Sequence, residues 1–270
     1  MFSKIGIIGT GNMGSALAAA IEKGDFDGDL LLANRSTEKA QALCKTLGRG
    51  IVAANEQIAQ SADLILLCVK PQIMPQVLAP LTDIFKKRNS GFVLCTVAAG
   101  LTCENICQLA GGEYPVIRIM PNTPVSLGCG MIQLCSKNTE KQAVDEFIRL
   151  LSPAGQIDVI EERLIDAACA VSGCGPAFAY LFAEALADGG VACGLSRKSA
   201  NLYAAKMLEG AAKMLQNSGK TPGQLKDAVC SPAGATIEGV LALEQAGFRG
   251  AVMDAVLAAY EKSVKLGEKK

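Results

Sequence analysis

Residues 4–160 alternate two kinds of pattern. Short, nearly unbroken apolar runs at 4–8, 30–34, 64–69, 92–96, 116–120, 131–135 and 156–160 read as strands buried on both faces. Between several of them, apolar positions recur every three to four residues at 15–22, 37–47, 71–80, 102–109 and 140–151, the spacing of helices with one buried face. Strand–helix alternation of this sort predicts an α/β, doubly wound, mainly parallel sheet.

Past residue 161 the apolar strand runs stop. Ala-rich helical periodicity takes over at 164–171, 176–191, 198–216, 223–229, 235–246 and 250–265. Ala179, Phe182, Ala183 and Leu186 share one broad face, and Ala185, Ala187, Gly189, Gly190 and Ala192 permit close helix approach. The chain therefore divides into an α/β domain over 1–160 and an all-α domain over 161–270. So small and apolar a helical domain is expected to complete its core against a partner chain.

Composition narrows the function. The 270 residues are 50% hydrophobic and carry 26 basic and 26 acidic side chains, so nothing suggests a nucleic-acid partner. The eleven Cys form no paired CxxC framework and read as small buried residues of a reducing cytoplasm. With no His and no clustered Cys or carboxylates, no metal site is expected. The first strand begins without a basic leader, which predicts no signal peptide. The longest apolar candidate, 167–191, is broken by Gly173-Cys174-Gly175-Pro176, Glu184 and Asp188, so no membrane span is expected. Residues 267–270 are expected to fray.

Gly9-Thr10-Gly11-Asn12-Met13-Gly14 follows the first strand and opens a helix. Gly9 suits a tight turn, Gly11 lets backbone approach a pyrophosphate, and Gly14 allows close helix–strand packing. This makes the α/β domain Rossmann-like. The second strand ends on Asn34-Arg35-Ser36, where an NAD site usually places an acid for the ribose 2′-OH. Arg35 and Ser36 suit a 2′-phosphate instead, so NADP(H) is the preferred cofactor and NAD(H) a possible one. Val69-Lys70-Pro71 and Ala98-Ala99-Gly100 stand at later strand ends, where ligands bind in such sheets, and the small alanines leave room for a nicotinamide. Asn55 serves either the adenosine side or as a helix N-cap, and Lys70 reads equally as a surface charge.

Ser231-Pro232-Ala233-Gly234-Ala235-Thr236 places two hydroxyls and free backbone N–H groups at a helix start, which suits a small carboxylate and also ordinary capping. Alcohol dehydrogenation needs a general base, yet His is absent and no Tyr is followed four residues on by Lys. A cyclic imine brings its own proton. The protein then need only align two rings at about 3–3.5 Å, with the Thr236 hydroxyl steadying that proton. A hydroxyacid dehydrogenase would need a helical Lys, and neither Lys198 nor Lys206 sits in a supporting glycine–Lys motif.

In these motifs, and in Arg118-Ile119-Met120-Pro121-Asn122-Thr123-Pro124, Ser172–Ala177, Asp188–Val191 and Ser231–Gly239, nearly the whole chain resembles the pyrroline-5-carboxylate reductases. The resemblance implies NADPH-dependent reduction of 1-pyrroline-5-carboxylate to L-proline. It implies nucleotide binding at Gly9–Gly14, Asn34–Ser36, Asn55 and Cys68–Pro71. The substrate carboxylate would sit on Ser231 and the backbone of Gly234, Ala235 and Thr236, with Thr236 facing the ring nitrogen and Glu162 close by. It further implies a homodimer through intertwined helical domains, with decamers possible, each pocket combining one chain's nucleotide domain with its partner's helices. Cys174 and Ala233 depart from the Ser and Gly that relatives often carry, with little loss expected. Ala228 replaces an Asn used near the cofactor, so that contact is not carried over.

Overall fold

The computed structural model describes residues 2–24, 26–88 and 91–268, except the side chains of Leu266 and Glu268. In the first part β1 (Lys4–Ile8), α1 (Asn12–Lys23), β2 (Asp29–Ala33), α2 (Thr37–Leu47), β3 (Ile51–Val52), α3 (Asn55–Ser61) and β4 (Leu64–Leu67) follow in order. Then come α4 (Met74–Leu78), α5 (Thr82–Lys87), β5 (Val93–Thr96), α6 (Cys103–Ala110), β6 (Val116–Pro121), β7 (Gly130–Lys137), α7 (Lys141–Leu151) and β8 (Gly155–Val159). The strands form one sheet in the order β3-β2-β1-β4-β5-β6-β7-β8. Every pairing is parallel except β6 with β7.

Alternation along the central strands divides the core between the two faces. Ile5, Ile7, Leu64, Leu66, Val93 and Cys95 pack with Leu17, Ile21, Leu43 and Phe147 of α1, α2 and α7. Ile8, Ile65, Leu67 and Leu94 pack with Ile58, Met74, Phe85 and Ile106 of α3 to α6. Gly6 brings α3 onto the sheet, since a Cβ there would overlap Ile58.

The single helix expected over 71–80 is instead a series of short pieces. A 3₁₀ turn, Pro71–Ile73, leads into α4, and a second, Ala79–Leu81, leads into α5. Pro75 and Pro80 have no N–H, so each interrupts the helical hydrogen-bond ladder and the helix restarts.

Beyond β8 the described chain is helical: α8 (Ile165–Ala168), a π-helical stretch Cys169–Gly173, α9 (Gly175–Ala192), α10 (Arg197–Asn217), α11 (Pro222–Val229), α12 (Ala235–Gln245) and α13 (Phe248–Glu268). The chain folds as two compact units, residues 1–173 with 259–270, and residues 174–258. Within the second unit α9 and α10 meet through Ala187, Ala200 and Ala204 with Val191 against them, and Arg197 pairs with Asp188 at 2.7 Å. Phe182 and Phe248 bring their rings to 5.7 Å. Tyr180, Leu181 and Leu202 nevertheless remain more than 60% exposed. The buried apolar core of this unit is thus small for its apolar content.

One expectation needs correction. Glu162–Ala192 is long and apolar enough to cross a membrane by length and composition, because the Gly173–Pro176 segment is taken up by helical turns with only Cys174 between them. Gly267 lies within α13, where a Cβ would stand 3.1 Å from the carbonyl oxygen of Gly100. Residues 269 and 270 lie outside the described residues.

Candidate active site

The glycine turn sits where β1 gives way to α1. Gly9 adopts φ +104°, open to glycine at little cost, and its N–H donates to Ala33 O at 2.8 Å. A Cβ on Gly9 would stand 2.6 Å from the carbonyl oxygen of Cys68, and one on Gly14 would overlap the carbonyl oxygen of Gly9. Gly11 is different: a Cβ there would meet nothing within 4 Å. Gly11 is also the N-cap of α1 and supplies no side chain, so the leading N–H groups of α1 are uncapped by it. The buried Thr10 Oγ1 has no hydrogen-bond partner. Open space at Gly11, uncapped donors and an orphaned hydroxyl fit a dinucleotide pyrophosphate.

The Asn34 side chain ties the second strand end to this turn. Its Oδ1 accepts from Thr10 N at 3.2 Å and its Nδ2 donates to Ser36 O at 3.1 Å. Arg35 is exposed and has no ion pair among the described residues. Ser36 Oγ donates to Glu38 Oε2 at 2.6 Å, which holds the Glu38 carboxyl below its usual range. Asn55 is the first residue of α3 and not its cap; that place is Ala54, whose N–H is met by Gln57 at 2.8 Å. The Asn55 side chain therefore does not cap α3.

Cys68, Val69, Lys70 and Pro71 follow β4, and Ala98 and Ala99 follow β5. Desolvation pushes the Cys68 thiol up to about 12, so it is a neutral wall of the turn and not a nucleophile. Lys70 is exposed and precedes the 3₁₀ turn, Ala98 is buried and Ala99 half-buried. All of these groups share the carboxyl edge of the parallel strands β1 to β5, the ligand-binding edge of such sheets.

The predicted carboxylate loop lies in the second unit. Gly234, not Ser231, is the N-cap of α12, and no side chain caps that helix. The N–H groups of Ala235, Thr236 and Ile237 lead the helix and are free to meet an anion. Gly234 N–H itself donates to Ser231 O at 3.0 Å, and a Cβ on Gly234 would overlap Ser231 Oγ. Ala233 has φ +57°, the left-handed conformation that favours glycine.

Glu162 lies in the first unit. Its Oε1 accepts from Cys103 N at 2.7 Å and from Arg118 Nη1 at 3.3 Å. Arg118, in β6, is 1% exposed and also pairs with Asp166 at 3.6 Å, while Ser263 donates to Asp166 Oδ1 at 2.7 Å. Cys103 and Cys135 bring their thiols, with a Glu162 carboxylate oxygen, within 4.8 Å of one another. The absence of clustered cysteines expected from the sequence is therefore corrected: the thiols are 32 residues apart in sequence and meet through the β7 and α6 packing. Donation to Cys135 pushes the Cys103 thiol well above its ordinary value and lowers Cys135. The guanidinium already supplies this cluster with a cation. A cleft of about 450 Å³ lined by Glu184, Asp188, Arg197 and Asn201 holds none of the predicted site residues.

Sequence reasoning had no use for Glu38 and saw Arg118 only as part of a motif. An acid in the first turn after the second strand was the available signal for Glu38. For Arg118 there was no local signal, since its partners come from distant segments.

Strand order and glycine turn together define a Rossmann-like dinucleotide-binding fold with a helical second part. Residues 4–100 match the NADP oxidoreductase, coenzyme F420-dependent, family, and residues 162–266 match the pyrroline-5-carboxylate reductase dimerisation family. The pyrroline-5-carboxylate reductase of Escherichia coli K12 is 38% identical over 99% of this chain and 100% of its own, and that of Treponema pallidum 40% identical over 96% and 99%. The Plasmodium falciparum pyrroline carboxylate reductase, solved with NADP bound, superposes with a TM-score of 0.86 at 34% identity, covering 98% of both chains. The Coxiella burnetii reductase gives a TM-score of 0.90 at 28% identity over 98% of both chains. The chain belongs to the pyrroline-5-carboxylate reductase family.

Proposed function

We propose that this protein reduces the cyclic imine 1-pyrroline-5-carboxylate to L-proline with NADPH, the closing step of proline formation. One observation carries the reading: full-length identity to reductases of that name spans both sites, and the groups each site needs are present. NADPH supplies the hydride. Gly9–Gly14 hold its pyrophosphate, with Arg35 and Ser36 at the 2′-phosphate. Asn55, Cys68–Pro71, Ala98 and Ala99 line the rest of the cofactor's path.

Ser231 Oγ and the N–H groups of Ala235 and Thr236 hold the substrate carboxylate. Gly234 contributes the space that keeps Ser231 Oγ accessible, its own N–H being spent on the turn. The Thr236 hydroxyl holds the proton on the ring nitrogen. Hydride adds to the carbon of the protonated C=N bond, the π pair goes to nitrogen, and the amine of proline results. No base is required, which suits a chain without His. Glu162 is proposed beside the substrate.

Residues 1–160 are assigned to the nucleotide and residues 161–270 to substrate and dimerisation. A homodimer, assembling further to a decamer in the cytoplasm without nucleic-acid or membrane partners, completes the proposal. Exposed Tyr180, Leu181 and Leu202, and the apolar run 162–192, supply the dimer surface. The test is to mix the protein with NADPH and 1-pyrroline-5-carboxylate and follow the nicotinamide absorbance. Loss of absorbance with proline appearing is expected; NADPH bound without turnover would overturn the proposal.

A further inference from the structure

The cofactor's 2′ position is read by few groups. Asn34 stands where an acid for the ribose hydroxyl usually lies, but both ends of its amide are engaged, by Thr10 N and Ser36 O. That leaves Arg35, exposed and without an ion pair among the described residues, the Ser36 hydroxyl, and a third group that the reading above does not use. Glu38, on the first turn of α2, accepts the Ser36 hydroxyl at 2.6 Å. The hydroxyl assigned to the phosphate is thus already committed to a carboxylate.

We infer that Glu38 is a specificity-determining residue that restrains the preference for NADPH over NADH. The inference rests on the assignment of Arg35 and Ser36 to the 2′-phosphate. A phosphate reaching Ser36 must displace the Glu38 carboxylate and then remain near it, like charge beside like charge. A cofactor with a free 2′-hydroxyl meets no such opposition: the carboxylate accepts from a hydroxyl as readily as from Ser36. Arg35 therefore favours the phosphate and Glu38 opposes it, and the balance keeps the smaller cofactor usable. Both side chains are exposed, so the opposition is screened by salt and moderate in size.

The test compares equilibrium binding of NADPH and NADH, by calorimetry, to the whole protein and its Glu38→Gln variant. Gln keeps the length and the acceptor but removes the charge. The variant is expected to bind NADPH about three- to tenfold more tightly at low ionic strength, with NADH unchanged or weaker, and the gain should shrink in high salt. Unchanged NADPH affinity, or an equal shift for both cofactors, would overturn the inference. Arg35→Asp separates the two levels. If it lowers NADPH affinity selectively while Glu38→Gln does nothing, the phosphate assignment stands and the role of Glu38 fails. If Arg35→Asp leaves the cofactor ratio unchanged, the phosphate assignment fails and takes this inference with it.

Discussion

Gly14 lies so close to Gly9 that a single added methyl would overlap the Gly9 carbonyl oxygen. Gly11, between them in sequence, faces open space. Gly14 therefore serves packing, and Gly11 is the glycine proposed to serve the ligand. Gly14→Ala is expected to lose about 1–3 kcal/mol of stability in urea unfolding. Gly11→Ala should remain within about 1 kcal/mol of the parent. It should nonetheless bind NADPH at least about tenfold more weakly, because its methyl occupies the space of the pyrophosphate. Equal stability losses in the two variants would contradict this division.

Thr236 heads a helix whose cap, Gly234, has no side chain. Thr236→Ala leaves the backbone donors in place and removes only the hydroxyl. Turnover should fall roughly 10- to 150-fold, the value of one hydrogen bond to a charged group, with the circular dichroism spectrum unchanged. Full activity would remove the hydroxyl from the proton's path.

Ala233 holds a left-handed φ of +57°, which an L side chain adopts at a cost of roughly 1–2 kcal/mol. Glycine relieves that strain but loses more chain entropy on folding. The net expectation for Ala233→Gly is a stability gain of up to about 1 kcal/mol, read as a higher urea midpoint at constant slope. The alanine that departs from the family pattern is thus a tolerated strain at the substrate loop; a fall in the midpoint would refute this.

The buried Arg118 neutralises Glu162 and Asp166, whose side chains are 34% and 23% exposed. Arg118→Leu leaves two carboxylates and the Cys103 N–H contact without their cation. The loss should lie toward the lower end of about 3–5 kcal/mol, because both carboxylates can rehydrate. Arg118→Lys should recover only part of it, lacking the planar fork that serves two carboxylates at once. Recovery of full stability by Lys would show that charge alone matters.

Elements with a strong periodic signal were legible in the sequence. β1 and α2 fall where the pattern puts them, and the glycine turn is recognisable because strand, turn and helix are contiguous. β3 escaped notice: Ile51 and Val52 are two exposed residues at the sheet edge, too short a run to show alternation. The reversal at β7 was equally silent, since a strand buried on both faces reads alike in either direction. The π-helical stretch has a tertiary partner, Ser172 Oγ lying 3.0 Å from Gln133 Oε1, 39 residues away. The Arg118 cluster draws on residues 103, 118, 135, 162, 166 and 263, and no window of sequence contains it.

The hydrogen bond from Ser263 to Asp166 joins residues 97 positions apart, within a unit that takes up the chain again at residue 259. Its consequence is one of timing. During synthesis the first unit lacks residues 259–270 until residues 174–258 have been made, so a nascent chain stalled inside the helical region holds Asp166 without Ser263. The order of translation thus finishes the first unit only after the whole of the second has been made.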